Sequence, residues 1–389
     1  MKKTYDVVIV GGGVQGLSLA YNLAIRDKRK IAVIEKNYIG SGASGRNGEM
    51  LRSAFEHEAW IRFFDKSLEI WETLSSELDF NVMFTRCGYL ILASSSETMK
   101  ACRAAFDKQK AFGIQTCTVD AEDIGKMIPA LNPDVIAGSI FQSNGGYARH
   151  DALVWGYARA ARRLGVEIFP FTEITDIEVN GGAIKGVKTS RGAIDTRLVI
   201  NAAGGHANQI ASMVGLELPN KTYRLEMLVT EPLKPFLRQN LVSLDLMGYM
   251  HQTARGEFVG GTESALPQVG LEIKSTLVGL TDMASKFVKL FPGLSNIKVM
   301  RQWAGLINQA PDASPVIGPV SEVEGFVLDC GWTYGFLGAP AAGKLLAEYI
   351  HTGVIPALMH PFSPERFKTG KLIIDSILSI YTEDKEVSG

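Results

Sequence analysis

The residues whose spacing implies chemistry most directly are Gly11, Gly13 and Gly16, followed by Glu35. In this Gly-x-Gly-x-x-Gly arrangement Gly11 makes a tight turn, Gly13 lets the backbone approach a pyrophosphate, and Gly16 lets a helix pack close to a sheet. Unpaired N–H groups and a partial positive charge at the start of that helix then face the phosphates. Glu35, about twenty residues past the glycines, is placed to accept hydrogen bonds from a ribose hydroxyl. A second set of candidates follows at once. Residues 37–47 are rich in Gly and Ser, a loop by composition whose small side chains suit close passage along a flat cofactor. Arg46 and Arg52 flank an apolar step there, which marks a site loop rather than a flexible surface one.

These residues need a strand, a turn, a helix and a second strand, in that order. Residues 5–10 supply an apolar, β-branched strand, 17–24 an apolar-periodic helix, and 31–34 a short buried strand that ends at Glu35. Helical spacing continues over 58–78, 99–112 and 151–164, the last with Asp151 as N-cap. Residues 81–93 read as two strands and 139–142 as a strand leading back toward the core. A run of short strands covers 167–197, with a hairpin turn at Asn180-Gly181-Gly182. The buried strand 198–200 ends at Asn201-Ala202-Ala203-Gly204-Gly205, and a helix begins near Ala207. Strand-like alternation covers 223–261, a helix 276–291, and strands 299–307 and 326–329. A Gly-rich loop over 331–339 leads to a helix over 340–350 with Pro340 in its first turn. The charged tail beyond Phe362 reads as peripheral.

With 389 residues, 46% of them hydrophobic and 21% charged, the chain suits two globular domains. The order of elements predicts a dinucleotide-binding domain assembled from 1–80, 140–218 and 308–389, with a substrate-binding domain of 81–139 and 219–307 inserted into it. A net charge of -1 offers no electrostatic footprint for nucleic acid. Cys87, Cys102, Cys117 and Cys330 form no Cys-x-x-Cys pair, so no zinc or iron–sulfur site is expected and the thiols read as free, in a reducing compartment. No apolar run reaches the length of a membrane span, and glycines interrupt the one signal-like segment; the expected location is the cytoplasm.

The glycine motif with Glu35, the Asn201-Ala202-Ala203-Gly204 strand end and the segment from Gly331 to Gly343 resemble the FAD-dependent amino-acid oxidoreductases of the D-amino-acid oxidase and sarcosine oxidase type, over nearly the whole chain. A closer resemblance is to the beta subunits of heterotetrameric sarcosine oxidases. Gly45-Arg46-Asn47 with Leu51-Arg52-Ser53 carries it, as do Arg149-His150-Asp151 with Val154-Trp155-Gly156, Trp303-Ala304-Gly305, and Cys330-Gly331-Trp332. The resemblance implies an α/β fold in which a discontinuous, Rossmann-like FAD-binding domain carries an inserted, mostly antiparallel β-sheet plus helices. It implies FAD held non-covalently by Gly11, Gly13, Gly16, Glu35, Arg46, Asn47, Ile174, Ala203 and Gly204. It further implies FMN attached through His150, near a face shared with an alpha subunit, and smaller subunits besides.

The implied activity is oxidation of the C–N bond of a small secondary or N-methyl amino acid: sarcosine first, proline or hydroxyproline second. The other readings are a stand-alone FAD amino-acid oxidase and a flavin electron-transfer subunit without its own substrate. A substrate carboxylate needs a cation, and Arg52 matches the family's clamp; otherwise it is a surface Arg beside the following helix. Leu337 stands where sarcosine oxidases place a lysine, which weakens the likeness to a sarcosine site and points to another secondary amino acid, since proline-type relatives have an apolar residue there; Ile307 stands near where glycine-oxidase-like members carry an arginine, which argues against that branch. Backbone N–H groups of Gly335, Phe336 and Leu337 are the expected donors to the reduced, anionic ring. Tyr249 either closes the substrate pocket or is a half-buried strand residue. His206 either borders the FAD or merely starts a helix. His150 is the flavin-bonding imidazole or an exposed residue before an N-cap.

Overall fold

The computed structural model describes residues 2–262 and 268–375. The β-branched Val7–Val10 strand is wholly buried at the centre of a six-stranded sheet. Ile31–Ile34 and Glu167–Phe169 lie parallel to it on one side, and Val199–Asn201 and Phe326–Cys330 on the other; Val316–Pro319 closes that edge antiparallel. Strands buried on both faces read as continuous apolar runs, as Val7–Val10 and Ile31–Ile34 do. On one face the helices Val14–Arg26 and Gly335–Thr352 touch backbone to backbone. A Cβ on Gly343 would lie 2.6 Å from the carbonyl carbon of Ser18. A three-stranded antiparallel sheet covers the other side. Its first hairpin turns at Gly181 and Gly182, both left-handed (φ 62° and 74°), as a two-residue turn of the favoured hand requires.

A nine-stranded, mostly antiparallel sheet contains Tyr89–Ala93, Gly138–Gln142, Lys221–Thr230, Gly248–Gln252 and Val299–Gln309 among its strands. Alternation splits its residues between two faces. Leu90, Leu92, Leu241 and Met250 pack under the Leu277–Leu290 helix, with Met283 and Phe287. On the opposite face Tyr89 and Ile91 join the core that reaches the first and last helices.

Gly138–Gln142 is a strand, pairs with Tyr89–Ala93 and places Ile140 in the core. Four sequence expectations change. The helix expected from Asp151 begins at His150. Its N-cap is Arg149, and Asp151 lies in the first turn, where the Glu49 carboxylate accepts the His150 N–H. The last long helix starts at Gly335, so Pro340 lies inside it rather than in its first turn. Gly335 and Gly338 read as loop formers but serve packing: a Cβ on either would strike the Trp332 side chain, at 2.9 and 2.6 Å. The tail is not peripheral over its described part. Arg366 inserts into the core, its Nε and Nη2 donating to Asp312 at 2.7 and 2.9 Å; residues 376–389 lie outside the described residues.

Both partners of the Arg366–Asp312 pair are buried, so removing one strands a charge. Asp312→Ala is expected to lose about 3–5 kcal/mol of stability in urea unfolding. A loss below about 1 kcal/mol is the value of an exposed pair and contradicts the buried assignment.

Candidate active site

The glycine turn takes the form its spacing predicts. Gly11 is left-handed (φ 116°), and a Cβ there would lie 2.3 Å from the Ala202 carbonyl oxygen. A Cβ on Gly16 would lie 2.2 Å from the Gly11 oxygen, so only glycine lets the helix approach this turn. Gly13 is the bare N-cap. Ala203 and Gly204 follow the neighbouring strand, and Ala203 borders Gly11. Glu35 is buried and faces the turn; it accepts from Gly12 N–H at 2.8 Å and Asn37 N–H at 2.8 Å. Ile174 is buried at the start of the three-stranded sheet, two residues past Thr172, whose N–H binds the Glu35 carbonyl. His206 lies close enough to Lys36 to feel its charge; burial first, and then Lys36, lower its pKa. These residues fit a dinucleotide: a helix start without side chains, an acid beside it, and Gly42 with open space where a side chain would be.

Sequence reasoning missed two residues at this end. Ser44 Oγ accepts the Val14 N–H at 2.9 Å, and Gln15 Nε2 donates to the Gly335 carbonyl at 2.9 Å, joining the two helix starts. Gln15 follows the predicted turn directly; Ser44 was visible only as one of several loop serines.

The loop after Ser44 runs beneath the large sheet. Arg46 donates from Nε to the Ser41 carbonyl (3.0 Å) and from Nη1 to Ala304 (3.2 Å), while its own carbonyl accepts from Trp303 Nε1 (3.1 Å). Asn47 Oδ1 accepts the Glu49 N–H at 2.7 Å, and its Nδ2 donates to the Ser44 carbonyl. Both therefore shape the loop. Tyr249 lies over Gly48, where a Cβ would meet the ring edge at 2.8 Å.

Arg52 is buried, not a surface residue. Its guanidinium carbon sits 4.6 Å from the Phe55 ring centroid, 4.7 Å from Tyr334 and 5.2 Å from Tyr89. Nη1 donates to Tyr89 Oη at 3.0 Å, the Tyr334 hydroxyl also meets the guanidinium, and Nε and Nη2 make no well-formed hydrogen bond. Burial works against the charge, but Tyr89, Tyr334 and the more distant Asp375 outweigh it and the pKa is raised. Such a group calls for a planar anion with two acceptor oxygens.

Across the loop, Glu49 is buried in a left-handed conformation (φ 62°). Its Oε1 stands 2.5 Å from His150 Nδ1 and 3.6 Å from Arg149 Nε, and Oε2 stands 3.9 Å from His251 Nε2. Burial opposes the Glu49 charge; His150 and Arg149 prevail and hold its pKa below the usual value. His251 is stacked on Tyr147, ring centroids 4.6 Å apart, and burial pushes it down to about 4. Neither Glu49 nor His251 carries a sequence signal. They meet His150 only through the fold.

Gly335, Phe336 and Leu337 form the first turn of the late helix, whose N–H groups lack helical acceptors. The Leu337 side chain is buried, and its carbonyl accepts from Ser67 Oγ (2.6 Å) and Trp71 Nε1 (3.0 Å). The approach to this turn is pinned by Trp332 Nε1, which donates to the buried Asp329 at 2.8 Å. Among the described residues no cluster of His, Cys, Asp and Glu could hold a metal ion, and no helix is long and apolar enough to cross a membrane.

Comparison with known proteins bears on this geometry. The family model described as FAD dependent oxidoreductase matches residues 6–349. Sarcosine oxidase subunit beta of Rhodobacter capsulatus is 34% identical over 384 residues, covering 97% of this chain and 92% of the relative. The protein of the same name from Rhizobium meliloti is 35% identical over 382 residues, covering 96% and 90%. Among solved structures, L-proline dehydrogenase from P. horikoshii superposes with a TM-score of 0.90 at 30% identity, over 96% of this chain and 100% of that one.

Burial pushes the Asp329 carboxyl up to about 7, with Trp332 pulling the other way. A folded pKa above the unfolded one gives stability that is present below about pH 4 and is lost as pH rises through about 7. Asp329→Asn lacks this loss. Its melting temperature relative to the unsubstituted protein should therefore be higher at pH 8 than at pH 5; an identical difference at both contradicts a buried, proton-holding Asp329.

Proposed function

The chain belongs to the FAD dependent oxidoreductase family, and from that membership and the Arg52 cage we propose that it oxidises the C–N bond of a small secondary or N-methyl amino acid. Sarcosine is the first candidate, proline or hydroxyproline the second. The observation that carries the reading is a buried guanidinium, held among tyrosine and phenylalanine rings, whose Nε and Nη2 make no well-formed hydrogen bond. An amino-acid carboxylate supplies two acceptors in the matching geometry. The rings of Phe55, Tyr89 and Tyr334 surround the guanidinium.

Bound FAD supplies the electron-pair acceptor. This chain's residues bind and orient. Arg52 holds the carboxylate, Tyr249 over Gly48 closes the sheet side, and the N–H groups of Gly335, Phe336 and Leu337 face the charge that develops on the ring. Residues 1–80, 140–218 and 308–389 form the nucleotide-binding part in this reading, and 81–139 and 219–307 the substrate part. The likeness to two proteins named sarcosine oxidase subunit beta supports a role as the catalytic subunit beside an alpha subunit. In this reading FAD is held non-covalently and FMN is bonded to His150.

Anaerobic mixing with sarcosine, proline, hydroxyproline and glycine tests the substrate class. Bleaching of the flavin band by a secondary amino acid is expected, and bleaching by none overturns the reading in favour of an electron carrier. Arg52→Met should weaken binding of the responsive amino acid by about 2–5 kcal/mol, roughly 30-fold or more. An unchanged dissociation constant removes Arg52 as the clamp. Separately, acid-precipitated chain should retain flavin fluorescence, and His150→Ala should lose it. A His150→Ala pellet that stays fluorescent excludes that tether.

A further inference from the structure

We propose that Asp375 is a positioning residue for the amino-acid clamp: it fixes the turn from which Arg52 and Phe55 reach the substrate carboxylate. The inference rests on the reading of Arg52 as that clamp and adds what holds it in place. Residues 52–57 form neither helix nor strand. Their backbone is held instead by three buried side chains from distant elements. Gln142 Oε1 accepts from the Ser53 and Ala54 N–H groups, both at 2.9 Å. Gln109 Nε2 donates to the Phe55 carbonyl at 3.0 Å. Asp375 Oδ2 accepts from the Glu56 and His57 N–H groups at 2.5 and 3.0 Å. It does so just ahead of the helix Glu58–Leu78, where the helix dipole also favours a negative charge.

Asp375 is seated by the core beside it. Two residues earlier, the Ile373 N–H donates to Asp312 Oδ2 at 3.1 Å, and the Ile373 carbonyl lies 3.2 Å from the Ser314 hydroxyl. That hydroxyl accepts from Trp60 Nε1 at 2.6 Å. The Trp60 ring packs edge-on against Phe55 and Tyr334, with centroids 5.0 and 5.5 Å apart. Between Asp312 and Ser314, the Ala313 carbonyl accepts from the Thr333 hydroxyl at 2.8 Å, next to Tyr334. The late segment thus reaches the cage twice, through the turn that carries Arg52 and through the rings that surround it.

The carboxylate acts in two ways that oppose each other. As an acceptor it fixes the turn, so that Arg52 loses less freedom when an anion binds. As a charge it competes with that anion for the guanidinium. Arg52 and Asp375 each favour the charged form of the other, although burial leaves the Asp375 pKa raised. The other acids at the turn are Glu56, which meets Lys108 Nζ at 2.6 Å, and Asp65, which accepts from the Ser53 hydroxyl at 2.9 Å. Removing the Asp375 charge alone leaves the turn in place and frees Arg52 for an anion. Removing the acceptor releases the turn.

The test titrates the FAD-loaded full-length chain anaerobically with sarcosine and with L-proline, and reads the dissociation constant and the limiting rate of flavin bleaching separately. For the amino acid that bleaches the flavin, Asp375→Ala is expected to raise the dissociation constant at least tenfold, with the limiting rate within twofold. Asp375→Asn keeps an acceptor oxygen and is expected to bind as tightly as the unsubstituted protein or tighter. Equal dissociation constants for the two variants, or a loss confined to the limiting rate, overturn the positioning role. An unchanged constant in Asp375→Ala beside a weakened Arg52→Met removes this role and spares the clamp. An unchanged constant in Arg52→Met, or no bleaching by either amino acid, removes both. Where Asp375→Ala fails to fold, a measurement without variants decides. If the Asp375 contact favours binding, binding favours the contact by the same factor. Hydrogen exchange at the Glu56 and His57 amides of the reduced protein should therefore slow at least fivefold with excess sarcosine or L-proline, relative to the amides of strand Ala183–Thr189. Exchange without that selective slowing overturns the proposal.

Discussion

Two helix starts are brought to the same end of the parallel sheet by a contact that tolerates no side chain. Gly343 of the late helix meets the backbone of Ser18 and Leu19 in the first, and Gln15 bonds across to Gly335 where both begin. Each start leaves N–H groups without acceptors, so one end of the sheet carries two partial positive charges close together. A cofactor with phosphates at one end and a ring that becomes anionic at the other matches that pair. The Gly11 and Gly16 contacts set how closely the first helix sits, and the Trp332–Asp329 hydrogen bond sets how the chain enters the second. The rest of the site is hung on this frame.

The large sheet supplies what the frame lacks. Trp303 and Ala304 at one side of the sheet grip Arg46, and Tyr249 presses on Gly48, so the loop from 46 to 52 is clamped from above. The clamped loop points two charged side chains inward in different directions. Glu49 goes toward His150 and His251, where positive partners meet it. Arg52 goes toward Phe55, Tyr89 and Tyr334, where the ring faces stabilise a cation without completing its hydrogen bonds. A satisfied buried acid and an unsatisfied buried base, three residues apart, give the loop one structural end and one receptive end.

What the sequence made legible was local. Gly11, Gly13, Gly16 and Glu35 announce their geometry because turn, helix and strand are contiguous, and Glu58–Leu78 announces itself by period. What it hid was long-range. The group that accepts the His150 N–H is Glu49, 101 residues away, so Asp151 looked like the cap. Gly335 and Gly338 looked like loop formers because composition cannot tell a glycine that bends the chain from one that admits an indole. Arg366 looked peripheral in a charged tail because its partner, Asp312, lies 54 residues earlier. His251 is one of six histidines and gives no local sign that it faces Glu49.

Leu337 can be judged on the same physical terms. Its side chain lies in the core, and its carbonyl is committed to Ser67 and Trp71. A lysine ammonium there would sit beside apolar helix packing at a cost of several kcal/mol unless an anion met it. With Leu337 apolar, Arg52 is the cation available to a bound carboxylate in the cage. One cation balances one carboxylate, and an amine held beside it away from other anions is favoured in its unprotonated form over the ammonium. An amine must be in that unprotonated form to give up an electron pair. The substitution that weakens the likeness to a sarcosine-specific site is therefore compatible, on electrostatic grounds, with amine oxidation itself.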